Sequence, residues 1–448
     1  MAVINIKRGL DLPIRGALAS NSMIEGPAVD RVALLPQESW GIKVKMLVEV
    51  GQEVQIGTPL YCDRRDPSVL FTSPAAGTVQ AVNRGARRAA LSIVIDVAQS
   101  EEQVAVEKLD LTTADRESLV AALCKSGLWP NLRQRPFNKV AGSSDTPRSI
   151  FVTAMDTSPL AAPPLALLAE RETAFKVGLQ TLTKLSGGAT YLCTPAGEDW
   201  SALLADGVTH QTFKGKHPAG NVGVHINALD PVGAERLVWH IDYQSVADLG
   251  EFVADGKLAT ERRIAVVGPA ALQTSIMKTR RGAATACFKS FAKEGQVRFI
   301  SGSVLDGATA NPQCQKGYLG RYAHQLTLLE DSPERELLNW MMPVGKRWSL
   351  TNSYLAKFVR KSFKTDTDMN GALRAIVPIG LYERVMPMDI LPTQLIKALA
   401  SDDLESAEKL GVLELAEEDL SLCQYVCPSK VPITNQLRAM LTRIEKEG

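Results

Sequence analysis

The residues best suited to redox chemistry lie close to the end of the chain, in Leu422-Cys423-Gln424-Tyr425-Val426-Cys427-Pro428-Ser429-Lys430-Val431-Pro432. A C-x3-C-P run is the closing half of the bacterial four-iron motif, C-x2-C-x2-C-x3-C-P. With Cys423, Cys427 and Pro428 aligned on that half, the two earlier ligand positions fall on Glu417 and Leu420. Neither supplies a thiolate, and the other five cysteines have no spacing that completes a set. Two cysteines cannot hold a four-iron cube, so the pair is expected to be buried and small, packing as hydrophobes in a helical domain. The alternative is a ligand pair completed by a partner chain.

Gly215-Lys216-His217-Pro218-Ala219-Gly220-Asn221-Val222-Gly223 is the one glycine-rich loop that carries a cation. A phosphate cradle draws its strength from a helix N-terminus behind the loop. Val222 to Ile226 alternates as a strand does, so a nucleotide site is not expected there. No G-x-G-x-x-G follows the first strand of the α/β region either. His210, His217 and His225 have no metal-ligand spacing and no cysteine or carboxylate pattern beside them. No metal site and no complete catalytic set is expected from this chain alone.

The elements that must position these residues come from a chain of 448 residues, too long for one core and long enough for three or four domains. Hydrophobic residues make up 45%, charged residues 22%, and the net charge is +1. That balance argues against a nucleic-acid partner. The basic clusters at Arg84, Arg87 and Arg88 and at Lys357 to Lys364 read as solvated faces. No run reaches the roughly 18 apolar residues that span a bilayer. Charges at Lys7, Arg8, Asp11 and Arg15 rule out a signal-peptide core in the first residues. Seven dispersed cysteines suit a reducing cytoplasm.

The fold expected is α/β multidomain. Residues 1–110 read as β-rich, with short strands at 42–48, 54–56, 78–82 and 91–95 between glycine and proline punctuation. No long helical period precedes Asp115. Residues 111–255 alternate strand and helix, with strands at 149–155 and 191–193, a long helix over 166–184 and a short one near 199–204. That alternation is the signature of a doubly wound, Rossmann-like parallel sheet. Residues 256–330 open on the strand Arg263–Val267 and read as a small β-grasp domain. Residues 331–448 read as a helical domain around the relic cysteine motif.

Val50-Gly51-Gln52-Glu53-Val54-Gln55-Ile56-Gly57-Thr58-Pro59-Leu60 and Ser73-Pro74-Ala75-Ala76-Gly77-Thr78-Val79 resemble the two halves of a biotinyl/lipoyl barrel sandwich. The hairpin that would carry the modified lysine, Tyr61 to Thr72, has Arg64 and Arg65 but no lysine, so the fold is expected without its swinging arm. The C-x3-C-P-S-x-x-P run after a helical segment resembles the C subunit of the electron-transport complex and the flavoprotein of complex I. Ile4–Ile14, Gly302–Gly307, Gly317–Tyr322, Ile376–Glu383 and Val385–Thr393 narrow the likeness. End to end, the chain resembles the A-subunit family of the sodium-translocating NADH:quinone reductases.

That resemblance implies a peripheral subunit on the cytoplasmic face of the bacterial inner membrane, attached to integral membrane and flavin-carrying subunits. It implies a part in sodium transport and the respiratory chain as a translocase subunit, with ubiquinone as substrate and no tightly bound cofactor. Flavins and iron centres are expected in other subunits. A quinone ring needs donors for two carbonyls, an aromatic wall and an exit for its tail. The densest match is Trp129 to Lys139, with ring surfaces at Trp129 and Phe137 and donors at Arg133, Gln134, Arg135 and Lys139. A second is Val32 to Trp40, where Leu35 would line the tail and Trp40 the head group. The rival readings are a free-standing NADH-oxidising flavoprotein, against which the absent glycine fingerprint counts, and a purely structural adaptor.

Overall fold

The computed structural model describes residues 3–106, 109–331, 348–351, 354, 358 and 361–447. The start of the expected helical region, 332–347, lies outside the described residues, as do Lys357 and Arg360 of the basic run.

The strands expected in the first hundred residues form two small antiparallel sheets. One holds Arg31–Leu34, Ala90–Val97, Gly77–Arg84 and Glu53–Val54; the other holds Val44–Met46, Pro59–Asp63 and Leu70–Thr72. Alternation along the strands sends Val32, Leu60, Phe71, Val79, Ile93 and Ile95 inward to complete burial. Gly77 is obligatory at one crossing, because a Cβ there would lie 1.9 Å from the Asp96 carbonyl oxygen. Arg64 and Arg65 stand exposed on the hairpin after Asp63, whose carboxylate accepts from the Lys43 and Arg65 amides. The N-terminal residues reach beyond this barrel. Ile4–Asn5 pairs with Val208–Lys214, and Met23–Glu25 pairs with Ser275–Arg280, each in a different sheet.

The α/β region is built on a seven-stranded sheet. Its order is Ile4–Asn5, Val208–Lys214, Ala189–Pro195, Ser149–Thr153, Val238–Asp242, Arg133–Arg135 and Lys139–Val140. The first five strands are parallel, and the strand order reverses about Ser149–Thr153. The hairpin 133–140 extends the edge antiparallel. Helix α1 (Arg116–Ser126) starts where Asp115 caps the Ser118 amide and stops at Gly127 in the left-handed region.

Two local expectations need correction. The long helix over 166–184 is two, α2 (Pro164–Leu168) and α3 (Glu172–Leu185). Glu170 takes φ 66 between them, and Arg171 turns inward to bond Asp248 at 2.7 Å and Glu251 at 2.8 Å. The run Val222–Ile226 is not a strand but the start of helix α4 (Val222–Leu229). All five of those residues are buried, so the helix has no polar side there and its period does not show in the sequence. Helix α5 (Tyr243–Asp255) packs on α3, with Gly250 and Gly178 at the crossing.

A six-stranded sheet runs Ala308–Thr309, Val297–Ser301, Gln325–Glu330, Glu261–Val267, Ser275–Arg280 and Met23–Glu25, with Gln325–Glu330 and Glu261–Val267 parallel at its centre. The C-terminal part is helical: α6 (Leu381–Val385), α7 (Pro392–Ala400), α8 (Leu404–Lys409), α9 (Glu417–Val426) and α10 (Ile433–Glu447). Leu395, Ile396, Leu420, Leu437 and Leu441 form its closed core. Among the described residues no helix is long and apolar enough to cross a membrane.

Candidate functional site

The two segments singled out for aromatic and cationic side chains, 32–40 and 129–139, meet in space. The Val140 amide donates to the Trp40 carbonyl at 3.3 Å, and a Cβ at Gly41 would lie 2.8 Å from the Lys139 Cβ. The hairpin that brings them together turns through Phe137 (φ 77) and Asn138 (φ 50), an uncommon pair of left-handed non-glycine residues. The turn is held from two sides. Asn138 Oδ1 meets His240 Nε2 at 3.1 Å, and Arg438 of α10 donates to the Phe137 carbonyl at 2.8 Å. Burial, reinforced by Arg133 and Arg135, holds the His240 pKa well below its usual range, so the ring is neutral in this contact.

The individual side chains divide into two groups. Trp129 is fully buried, donates from Nε1 to the Ala141 carbonyl at 2.8 Å and packs edge-on against Trp239. It is a core anchor. Gln134 is buried, with its amide oxygen facing the Gly142 amide. Arg135 is fully buried and paired to Glu418 at 2.9 Å and Asp419 at 3.0 Å, with a further bond to the Glu414 carbonyl. Burial alone would lower its pKa, but the two carboxylates outweigh that and raise it. Both of its terminal nitrogens are engaged within the chain, and its Nε is buried without a partner. Leu35 is half-buried and lines an inner cavity.

Trp40, Phe137 and Lys139 form the second group and lie at the surface. Trp40 is 43% exposed, with the Arg438 guanidinium 4.5 Å from its ring centre. Lys139 pairs with Glu445 at 2.6 Å and lies 5.5 Å from the Phe137 ring centre. Arg133 is half-buried over the Tyr322 ring at 4.5 Å. The result is a ring-and-cation patch made by Trp40, Phe137, Lys139 and Arg438. Arg438 is the member that the sequence reading missed. It also pairs with Glu417, at 2.6 Å from Nη2, and so ties the patch to α9. Its only advance signal was its place on the polar side of an amphipathic helix, which marks a solvated cation as readily as a functional one.

The same Glu417 answers to the first of the missing cluster-ligand positions, and the second, Leu420, is fully buried in the helical core. Cys423 and Cys427 are buried, with Tyr382 Oη 3.0 Å from Cys427 Sγ. Burial pushes the Cys423 thiol up, which keeps it un-ionised. Among the described residues no group of three or more histidine, cysteine or carboxylate side chains could hold a metal. The glycine-rich loop does precede a helix, contrary to expectation, but the place is taken. A Cβ at Gly223, in the first turn of α4, would lie 2.4 Å from both carboxylate oxygens of Asp419. The Asn221 side chain donates to the Glu418 carbonyl at 3.0 Å, and Thr157 Oγ1 accepts from the Gly220 amide at 2.9 Å. The carboxylate of Asp419, neutralised by Arg135, stands where an anion would be drawn.

Fold and site together define a multidomain α/β protein fronted by a barrel-sandwich domain, with a surface ring-and-cation patch where residues 32–40, the hairpin 133–140 and α10 meet. Residues 4–98 match the family model for the NqrA N-terminal barrel-sandwich hybrid domain, and residues 114–258 match that for the NqrA second alpha/beta domain. Full-length relatives extend the match. The A subunit of the Na(+)-translocating NADH-quinone reductase of Yersinia pseudotuberculosis is 44% identical over 451 residues, covering 100% of each chain. Its counterparts in Saccharophagus degradans and Actinobacillus pleuropneumoniae are 44% and 45% identical, again over 100% of each chain. The chain belongs to the NqrA family, the A subunits of the Na(+)-translocating NADH-quinone reductases. Among solved structures, an NAD+-reducing [NiFe]-hydrogenase chain is similar with a TM-score of 0.40 and 13% identity, over 76% of this chain and 68% of that one.

Proposed function

We propose that the chain is a peripheral, cytoplasmic-face subunit of a sodium-pumping NADH:ubiquinone oxidoreductase and that its ring-and-cation patch contacts ubiquinone. The observation that carries this reading is the convergence of 32–40 and 133–140 beneath Arg438, which puts two aromatic rings and two cations on one surface. A quinone ring stacks on an aromatic wall, and its carbonyls accept from cations. Trp40 and Phe137 are the wall in this reading, and Lys139 and Arg438 the donors. Trp129, Gln134 and Arg135 serve by holding the hairpin. Electrons reach the quinone from flavin-carrying and integral membrane partner subunits, since this chain brings the patch and not the redox centres. In the same reading residues 256–330 are a β-grasp domain, and 331–448 are a helical domain that has kept half of a cluster motif as packing.

A photoreactive quinone, cross-linked to the assembled enzyme and mapped by peptide, tests this. Label is expected in 32–41, 133–140 and 433–447, and excess unlabelled ubiquinone should compete it away. Label confined to other subunits, or to segments of this chain remote from the patch, would overturn the reading.

A further inference from the structure

A cavity of about 60 Å³ lies where the barrel, the start of the α/β region and the six-stranded sheet meet. One water needs roughly 10–15 Å³ on the same scale, so the space holds a few waters or one small ion. Three guanidinium groups line it, from Arg262, Arg281 and Arg321, and Glu38 is the one carboxylate in the lining. Domain junctions are where such sites collect.

The hydrogen bonding around the cavity does not close on itself. Arg262 is 2% exposed, bonds the Ala323 carbonyl through Nε and reaches the His324 ring at 3.5 Å. Its Nη1 is buried with no hydrogen-bond partner, and its nearest carboxylate, Asp242, stands at 3.6 Å. Arg281 is paired to Asp248 through Nη2, which Asp248 shares with Arg171, and its Nε has no partner. Burial first, and then the like charge of Arg321, lower the Arg281 pKa to about 9. Arg321 donates to the Gly127 carbonyl and the Asn131 side chain. Burial drives the Glu38 carboxyl the other way, upward and toward its neutral form, against the pull of Arg321 and Lys316. Three arginines, Arg262 buried and Arg281 and Arg321 half-buried, thus share a cavity whose lining carboxylate is disfavoured as an anion, and two of them hold N–H groups in reserve.

We infer that this cavity is a binding site for a small tetrahedral oxyanion of the phosphate class, held by Arg262, Arg281 and Arg321. Guanidinium groups bind such ions through paired, charge-assisted hydrogen bonds. A phosphate there fills the unpartnered donors and separates the like charges of Arg281 and Arg321. It also ties the barrel, the α/β region and the six-stranded sheet together through one ion. The site is distinct from the surface patch formed by Trp40, Phe137, Lys139 and Arg438, although Ala33, Leu34, Leu35, Glu38 and Ser39 of its lining belong to the 32–40 segment.

The test is equilibrium dialysis of the full-length chain against radiolabelled inorganic phosphate, with chloride holding ionic strength constant. Saturable binding of one phosphate per chain is expected, and Arg321→Gln should weaken it about tenfold, the size of one charge-assisted hydrogen bond. Arg262→Lys keeps the charge but loses the fork, and should weaken phosphate while leaving the circular-dichroism spectrum unchanged. Should either variant fail to fold, melting of the wild-type chain decides. A Tm that rises with phosphate and saturates supports the site, whereas a rise matched by chloride is ionic screening alone and overturns it. No stoichiometric binding by the wild-type chain, or undiminished binding by a folded Arg321→Gln, also overturns it.

Discussion

At the scale of single residues, Arg135 and Arg438 exchange the roles that their sequence neighbourhoods suggest. Arg135 sits among aromatics and cations, yet is fully buried between Glu418 and Asp419. Breaking a buried pair by removing one partner leaves an uncompensated charge and costs about 3–5 kcal/mol. Arg135→Ala should therefore unfold at markedly lower urea concentration, while quinone KM stays normal in whatever enzyme assembles; a raised KM with unchanged stability would return Arg135 to the site. Arg438 is ion-paired too, to Glu417, but its side chain reaches solvent. It stacks over the exposed Trp40 ring and holds the Phe137 carbonyl. Arg438→Ala should raise the apparent quinone KM about tenfold, as loss of one hydrogen bond from a charged donor implies. NADH oxidation with an artificial acceptor should be unchanged. Steady-state kinetics of both half-reactions on one preparation separates these outcomes.

At the scale of elements, the seven-stranded sheet that carries the 133–140 hairpin depends on helices packing closely against it and one another. The contact between α3 and α5 is one such packing, and a Cβ at Gly250 would lie 1.7 Å from the Ala174 carbonyl oxygen and 2.8 Å from the Gly178 amide nitrogen. Both obstacles are backbone, so neither can swing aside. Gly250→Ala must push the helices apart, and overpacking of this kind costs about 1–3 kcal/mol. The variant should melt several degrees below wild type in a thermal scan, while keeping its far-ultraviolet circular dichroism. A melting point equal to that of wild type would show that the helices are free to separate. The helix break at 169–171 obeys the same logic from the electrostatic side: a continuous helix would deny Asp248 and Glu251 their partner, Arg171.

At the scale of the whole molecule, the histidines set the acid limit. All five have pKa values lowered first of all by burial: His217 and His225 to about 4, His324 to about 3, His240 well below 6.5, and His210 downward as well. Unfolding returns them to the ordinary value near 6.5. The unfolded chain therefore binds protons first as pH falls, and stability must decline. The contribution of these groups is fully present above pH 6.5 and is lost progressively between 6.5 and about 4. Urea midpoints measured at about pH 7.5, 6 and 5 should fall steadily, ahead of most carboxylate titration. A midpoint that held constant to pH 5 would mean that the histidines are not sequestered as the fold has them.

Whatever rests on neighbours along the chain was legible in the sequence. Turn glycines and alternating strands marked the barrel, and the Glu417 and Leu420 positions excluded a complete cluster motif. The family likeness was legible for the same reason, since it is carried by contiguous motifs. Which donors are free was settled by tertiary contacts alone. The partners of Arg135 lie some 280 positions away, and Arg438 is 301 positions from the carbonyl it holds. The strand-like run at 222–226 became a helix because it is buried on every side, a condition that erases the polar half of the helical period. A side chain's type is local, but its availability depends on what the fold places against it, and no spacing rule reports that.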